Sequence, residues 1–89
     1  MIAEADKKII REISRRYHVT RVLLFGSSLA LESRDIDIAV EGIPPKDFYS
    51  FYGDLMLALS KPVDVIDLSG TSKFIKMVQQ EGVPLYGKL

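Results

Sequence analysis

Apolar residues recur along this chain with two different periods, and the alternation of those periods predicts its elements. A spacing of three and four residues predicts helices over residues 3–17 and 47–59, and a last helix that Thr71 caps and Gly82 ends. Short apolar runs predict strands over 20–25, 35–41 and 63–68. Residues 83–86 predict an optional edge strand, a position where proline is tolerated.

The order of these elements predicts an α+β fold. A helix lies between the second and third strands, and this crossover favours a small mixed β-sheet. The strand over 20–25 is apolar on both faces after Arg21, which predicts a central position in the sheet. With 89 residues the chain is expected to form a single domain, 1–89, in which helices cover mainly one face of the sheet in a two-layer arrangement.

Composition narrows the class of protein. The chain is 47% hydrophobic and 27% charged, as in soluble globular proteins, and it contains no cysteine for a disulfide or a thiolate metal site. It shows no secretory signal and no apolar run near the roughly 18–20 residues of a membrane span, so the cytoplasm is expected. Twelve basic residues balance twelve acidic ones without a basic stripe, and nucleic acid is not expected as a direct ligand.

Two aspartates on the second predicted strand indicate a metal site. Asp35 and Asp37 are two residues apart, so a regular strand places both carboxylates on one face with about 6–7 Å between their Cα atoms. Carboxylates so placed can hold one divalent ion or a pair about 3.5–4 Å apart. Asp64 and Asp67 on the third strand face opposite ways, and because both faces of that strand are largely apolar, alternation alone does not decide which acid joins the first two.

A turn of small residues follows the first strand. Gly26 permits unusual backbone angles and close approach of a ligand, and Ser27 or Ser28 can cap a short helical turn over 28–32 whose amides point at a phosphate. An ordinary strand-to-loop turn is the alternative, since a Gly-Ser pair alone is weak evidence.

Taken together, these segments resemble the minimal nucleotidyltransferase (MNT) domain of the polymerase-β-like superfamily. The similarity rests on three segments and extends to the closing residues 81–86: Leu24-Phe25-Gly26-Ser27, Asp35-Ile36-Asp37-Ile38-Ala39-Val40 and Val63-Asp64-Val65-Ile66-Asp67-Leu68. The resemblance implies two Mg²⁺ ions bound by Asp35 and Asp37, with Asp64 as the third catalytic carboxylate. It also implies ATP as substrate, with its phosphates at Gly26, Ser27 and Ser28.

The turn departs from the family pattern. In the family, an arginine and a second glycine usually follow Gly-Ser, and about ten residues separate Gly-Ser from the first aspartate. Here only seven residues separate Ser27 from Asp35. Arg34, directly before Asp35, is the candidate to replace the missing arginine.

Three interpretations of function follow. The first is a Mg²⁺-dependent nucleotidyltransferase that moves AMP from ATP onto a protein, acting as the antitoxin of an all-helical HEPN-type toxin. The second is a catalytically weak or inactive antitoxin that neutralises this partner by forming a complex. The third is an α+β domain whose acids are solvated strand ends. A homo-oligomer is compatible with each.

Overall fold

The computed structural model describes residues 2–30 and 34–87, with the backbone alone for Ser27. Its helices are α1 (Glu4–Arg16), α2 (Pro45–Ala58) and α3 (Lys73–Glu81), and its strands are β1 (Arg21–Leu24), β2 (Ile36–Glu41), β3 (Val63–Asp67) and β4 (Val83–Gly87). A 3₁₀ turn, Gly26–Leu29, follows β1. The predicted order and the optional last strand are therefore confirmed. Of the helical turn predicted over 28–32, residues 31–32 lie outside the described part of the chain.

The four strands form one mixed sheet in the order β3-β2-β1-β4. β1 runs antiparallel to both of its neighbours, whereas β2 and β3 are parallel, as the crossover through α2 requires. The predicted central position of β1 is thus confirmed, and Pro84 lies on the edge strand β4, where no further ladder needs its missing amide.

The larger core lies between one face of the sheet and helices α1 and α2. Alternate residues of β2 supply it, since Ile36, Ile38 and Val40 are all fully buried there. α1 and α2 face these side chains with residues that are also almost completely buried: Ile10, Ile13, Phe51 and Leu55. The isoleucines therefore fix which face of β2 is turned toward α1 and α2.

α3 covers part of the other face of the sheet. A smaller apolar cluster forms there from Leu23, Ala39, Leu68, Ile75 and Val78. Because these apolar side chains would otherwise be exposed to water, α3 adds a partial third layer to the expected arrangement. This second face also carries the candidate site, so α3 limits the directions from which ligands can reach it.

The ends of the helices depend on local hydrogen bonds. Ser72, rather than the predicted Thr71, caps α3, because the Ser72 hydroxyl accepts a hydrogen bond from the Ile75 amide at 3.2 Å. α1 ends with His18 in the left-handed region at φ 56°, where the Val19 amide donates to the Ser14 carbonyl. The His18 side chain is exposed.

A buried carboxylate joins the start of α1 to the segment that follows α2. Asp6 is only 2% exposed and accepts hydrogen bonds from the Ser60 hydroxyl at 2.6 Å and the Ser60 amide at 3.1 Å. These charge-assisted bonds fix the segment that leads into β3. Of the helices described in residues 2–30 and 34–87, none has the length and apolar character that crossing a membrane requires.

Candidate functional site

Two aspartates lie side by side on adjacent parallel strands. Asp37 of β2 is in register with Asp64 of β3, and neighbouring strands lie about 4.8 Å apart. Both residues lie on the same face as the smaller apolar cluster beneath α3. Asp37 precedes Ala39 of that cluster by two positions and Asp64 precedes Leu68 by four, and an even separation along a strand means the same face. The two carboxylates therefore share the second face of the sheet, beyond the part that α3 covers: Asp64 is exposed and Asp37 is half-buried.

Asp35 lies just outside this ladder. β2 begins at Ile36, so Asp35 occupies an exposed bend before the strand and not the strand itself. The strand predicted over 35–41 thus begins one residue later, at Ile36, and the shared face of Asp35 and Asp37 stays a prediction. Over residues 2–30 and 34–87 no three Asp, Glu or His side chains are gathered closely enough to hold a metal ion.

Gly26 brings the turn after β1 against the Asp37 carboxylate. Gly26 has φ +57°, and a Cβ added to it would lie 2.9 Å from Asp37 Oδ2. Any other residue would be strained at this backbone angle and would also press on the carboxylate. A glycine at this position therefore lets the turn pack directly against the Asp37 carboxylate, and its close approach to a phosphate stays a prediction.

Ser28 supports the site from within. Its side chain is completely buried, and its hydroxyl donates to the Asp37 carbonyl at 2.9 Å and accepts from the Asp37 amide at 2.6 Å. The Ser28 amide is also engaged, donating to the Phe25 carbonyl at 3.1 Å. Ser28 therefore holds β2 in place, a role that the sequence pattern did not indicate. The contribution of Ser27 and Ser28 to nucleotide binding stays a prediction.

Asp67 lies away from this group. Its neighbour across the ladder is Val40, which belongs to the face covered by α1 and α2. Its Oδ1 accepts the Ser69 amide at 2.9 Å and so closes the turn after β3. Of the two acids that alternation left open, the structure brings Asp64, and not Asp67, to the side of Asp37.

Tyr52 reaches Asp64 from α2. The Tyr52 hydroxyl donates to Asp64 Oδ1 at 3.4 Å, around the outer edge of β3. Burial and the neighbouring Asp64 charge both raise the pKa of Tyr52, so its hydroxyl keeps its proton at neutral pH. The sequence did not indicate this contact, because the position of Tyr52 is that of an aromatic residue on the core face of a helix.

The donor set suits a hard divalent cation. Asp37 and Asp64 offer adjacent carboxylate oxygens, the ligands that Mg²⁺ prefers at about 2.0–2.1 Å. Gly26 leaves room beside Asp37 Oδ2. Two carboxylates with space for phosphate oxygens and water match the way Mg²⁺ is usually held together with a nucleotide. Asp35, one residue before β2, is the nearest further acid along the strand.

The family model for "Polymerase beta, Nucleotidyltransferase" matches residues 7–88. One similar solved structure is the toxin–antitoxin MntA–HepT, at 25% identity over 97% of this chain and 74% of that chain, with a TM-score of 0.74. A second, a toxin–antitoxin with AMP-PNP, is 26% identical over 92% of this chain and 73% of that one, with a TM-score of 0.73.

A third is the tri-AMPylated Shewanella oneidensis HEPN toxin in complex with MNT antitoxin, at 26% identity, 93% and 71% coverage and a TM-score of 0.72. No curated protein sequence matches significantly. These findings confirm the resemblance to minimal nucleotidyltransferases and the predicted fold class.

Proposed function

Because this chain belongs to the polymerase β nucleotidyltransferase family, we propose that it transfers AMP from ATP to a hydroxyl group of a HEPN-type toxin and so acts as that toxin's antitoxin. The observation that carries the proposal is the register of Asp37 with Asp64 on the face that Gly26 leaves open. The relatives support the choice of substrate and partner, since one is a complex with AMP-PNP and another contains an AMPylated HEPN toxin.

The residues divide the reaction between them. Gly26 admits the triphosphate beside Asp37, with Ser27 as the proposed further contact. Asp64 accepts the proton of the attacking hydroxyl, whose oxygen bonds to the α-phosphorus of ATP. The bond from that phosphorus to the bridging oxygen breaks, and pyrophosphate leaves. Asp35, Asp37 and Asp64 are the proposed Mg²⁺ ligands, and bound Mg²⁺ supplies charge neutralisation at the phosphates and a lower pKa for the hydroxyl.

A second function is favoured by a specific observation. Asp35 occupies an exposed bend before β2, one residue outside the strand that carries Asp37. An antitoxin that has lost most of its catalysis and neutralises the toxin by binding alone would have this arrangement. Both functions require a complex between this protein and the toxin. They differ only in whether AMP becomes covalently attached to the toxin.

Intact mass spectrometry separates them. The purified toxin is incubated with this protein, ATP and Mg²⁺, and with the same mixture containing EDTA. Transfer predicts a toxin heavier by one or more adenylyl groups in the first sample only. An unchanged toxin mass in both samples, with the complex intact, would establish the binding-only antitoxin.

A further inference from the structure

A groove opens beside Asp64 on the outer side of β3. Its volume is about 530 Å³, and it lies between the end of α2 and the start of β3. Met56, Leu59 and Pro62 give it an apolar lining, and Tyr52 and Asp64 form its polar end. Met56 is 62% exposed there, and its flexible apolar side chain can pack against a bound molecule.

The groove is fixed in shape by contacts from beneath. Ser60, part of its lining, is bonded through its amide and hydroxyl to the buried Asp6 carboxylate. Tyr52 is held at the other end by its hydrogen bond to Asp64. A preformed groove of this kind loses little conformational entropy when it binds a ligand.

The order of the strands places the groove opposite the proposed nucleotide position. Gly26 follows β1, Asp37 lies on β2 and Asp64 lies on β3, and these strands are adjacent in that order. A triphosphate at Gly26 and a molecule in the groove would therefore reach the aspartates from opposite sides. Nucleotidyl transfer needs this arrangement, because the attacking oxygen and the leaving pyrophosphate lie roughly in line across the phosphorus.

We propose that this groove binds the polypeptide segment of the acceptor protein that carries the modified hydroxyl, with apolar side chains of that segment against Met56 and Pro62. The inference rests on the proposed function for the identity of the acceptor. The groove is bounded by the end of α2, and β3 is the outer strand of the described sheet, so a macromolecule can approach Asp64 along this edge. Half of the residues that line the groove are apolar, and Tyr52, Lys61 and Asp64 add polar groups, a mixture that suits a polypeptide segment.

Adjacent residues of α2 provide a matched pair of variants. Met56→Lys places a charge in the groove, whereas Leu57→Lys places the same charge on a side chain that is 90% exposed and absent from the groove lining. Affinity for the purified HEPN toxin is measured by calorimetry, and nucleotide binding is measured as the thermal shift produced by Mg²⁺ with AMP-PNP.

If the acceptor segment lies in the groove, Met56→Lys is expected to weaken toxin binding by about tenfold or more, because one buried apolar contact is lost. The thermal shift with Mg²⁺ and AMP-PNP is expected to remain. Leu57→Lys is expected to match the wild type in both measurements. A loss of the AMP-PNP shift in Met56→Lys with unchanged toxin affinity would overturn the proposal and make the groove part of the nucleotide site. Equal losses of toxin affinity in both variants would also overturn it, because the exposed face of α2 would then be the binding surface.

Cross-linking locates the bound segment. A photoreactive benzoylphenylalanine in place of Met56 is expected to cross-link to toxin residues close in sequence to the modified hydroxyl, and the same group at Leu57 is not. Because calorimetry needs no catalysis, a loss of toxin affinity in Met56→Lys but not in Leu57→Lys would support the groove even if the toxin gained no AMP, and this separates failure of the groove from failure of the proposed transfer. A Met56 cross-link to a toxin segment remote from every modified hydroxyl would overturn the assignment.

Discussion

The Ser28 hydroxyl is bonded twice to the backbone of Asp37, accepting from its amide at 2.6 Å and donating to its carbonyl at 2.9 Å. The Phe25 amide donates to the same carbonyl at 3.1 Å. The turn that is proposed to bind the nucleotide is thereby attached to the strand that carries the proposed metal ligand. The buried Ser28 therefore helps to fix the position of Asp37 and contributes to the stability of the site.

Ser28→Ala is expected to lower the free energy of unfolding by about 1–3 kcal/mol, because it leaves the Asp37 amide buried without an acceptor. Chemical denaturation measures this loss. Ser50→Ala, which replaces an exposed serine of α2, is the control and should unfold like the wild type. A Ser28→Ala protein as stable as the control would show that the two hydrogen bonds contribute nothing net.

Gly26→Ala tests the close approach of the turn to Asp37. The left-handed backbone costs an alanine about 1 kcal/mol, and the new methyl group meets Asp37 Oδ2. We expect a small loss of stability and a much larger loss of the thermal shift given by Mg²⁺ with AMP-PNP. Gly53→Ala is the control, since a Cβ there meets nothing within 4 Å. A full ligand shift in Gly26→Ala would mean that this glycine serves the turn alone.

Replacing Asp35 and Asp37 together by asparagine tests the metal site. Mg²⁺ or Mn²⁺ is expected to raise the melting temperature of the wild type, because a ligand that binds only the folded state stabilises it. The double variant should fold and lose this response. Asp37→Asn alone should lose most of it, as Asp37 is the member of the pair that stands beside Asp64. An equal metal response in the double variant would contradict the assignment.

The hydrogen bond of Tyr17 is expected to make the free energy of unfolding depend on pH. Its hydroxyl donates to Asp54 Oδ2 at 2.6 Å, and this hydrogen bond, followed by burial, raises the pKa of Tyr17 above the ordinary value of 10.0. The unfolded chain therefore releases the proton first as pH rises. The contribution of Tyr17 to the free energy of unfolding is fully present below about pH 10. It is lost as the pH rises through the pKa that Tyr17 has in the folded protein.

Tyr17→Phe is accordingly expected to cost about 1.5 kcal/mol at pH 8, with the difference from the wild type narrowing above pH 10. Urea denaturation at a series of pH values measures both effects. Tyr49→Phe, at a tyrosine that is 82% exposed, should follow the wild type throughout. A Tyr17→Phe deficit that stays constant from pH 8 to strongly alkaline pH would exclude the hydrogen bond as its source.

Most elements of this fold follow from the sequence, because their apolar periods are long and regular. The exceptions lie at their ends. Nothing local distinguishes Thr71 from Ser72 as the cap of α3, and β2 begins one residue later than its pattern indicates, which moves Asp35 into a bend. Such boundaries depend on which backbone groups find partners in the folded chain.

The site was only partly predictable for a different reason. Alternation gives the face of each aspartate relative to its own strand, but the pairing of Asp37 with Asp64 depends on the register of two strands joined through a helix. The contacts of Ser28, Tyr52 and Asp6 are likewise tertiary, and their residue types are common on surfaces and in turns. Periodicity carries no information about such partners.

The proposed position of Asp64 at the reacting hydroxyl is tested by the intact mass of the HEPN toxin. The toxin is incubated with ATP, Mg²⁺ and either wild type, Asp64→Asn or Asp67→Asn. Added adenylyl groups are expected with the wild type and with Asp67→Asn, whose amide oxygen can still accept a hydrogen bond from the Ser69 amide. None are expected with Asp64→Asn, although that variant should keep the melting temperature of the wild type. Adenylylation by Asp64→Asn and its absence with a folded Asp67→Asn would contradict the proposed position of Asp64.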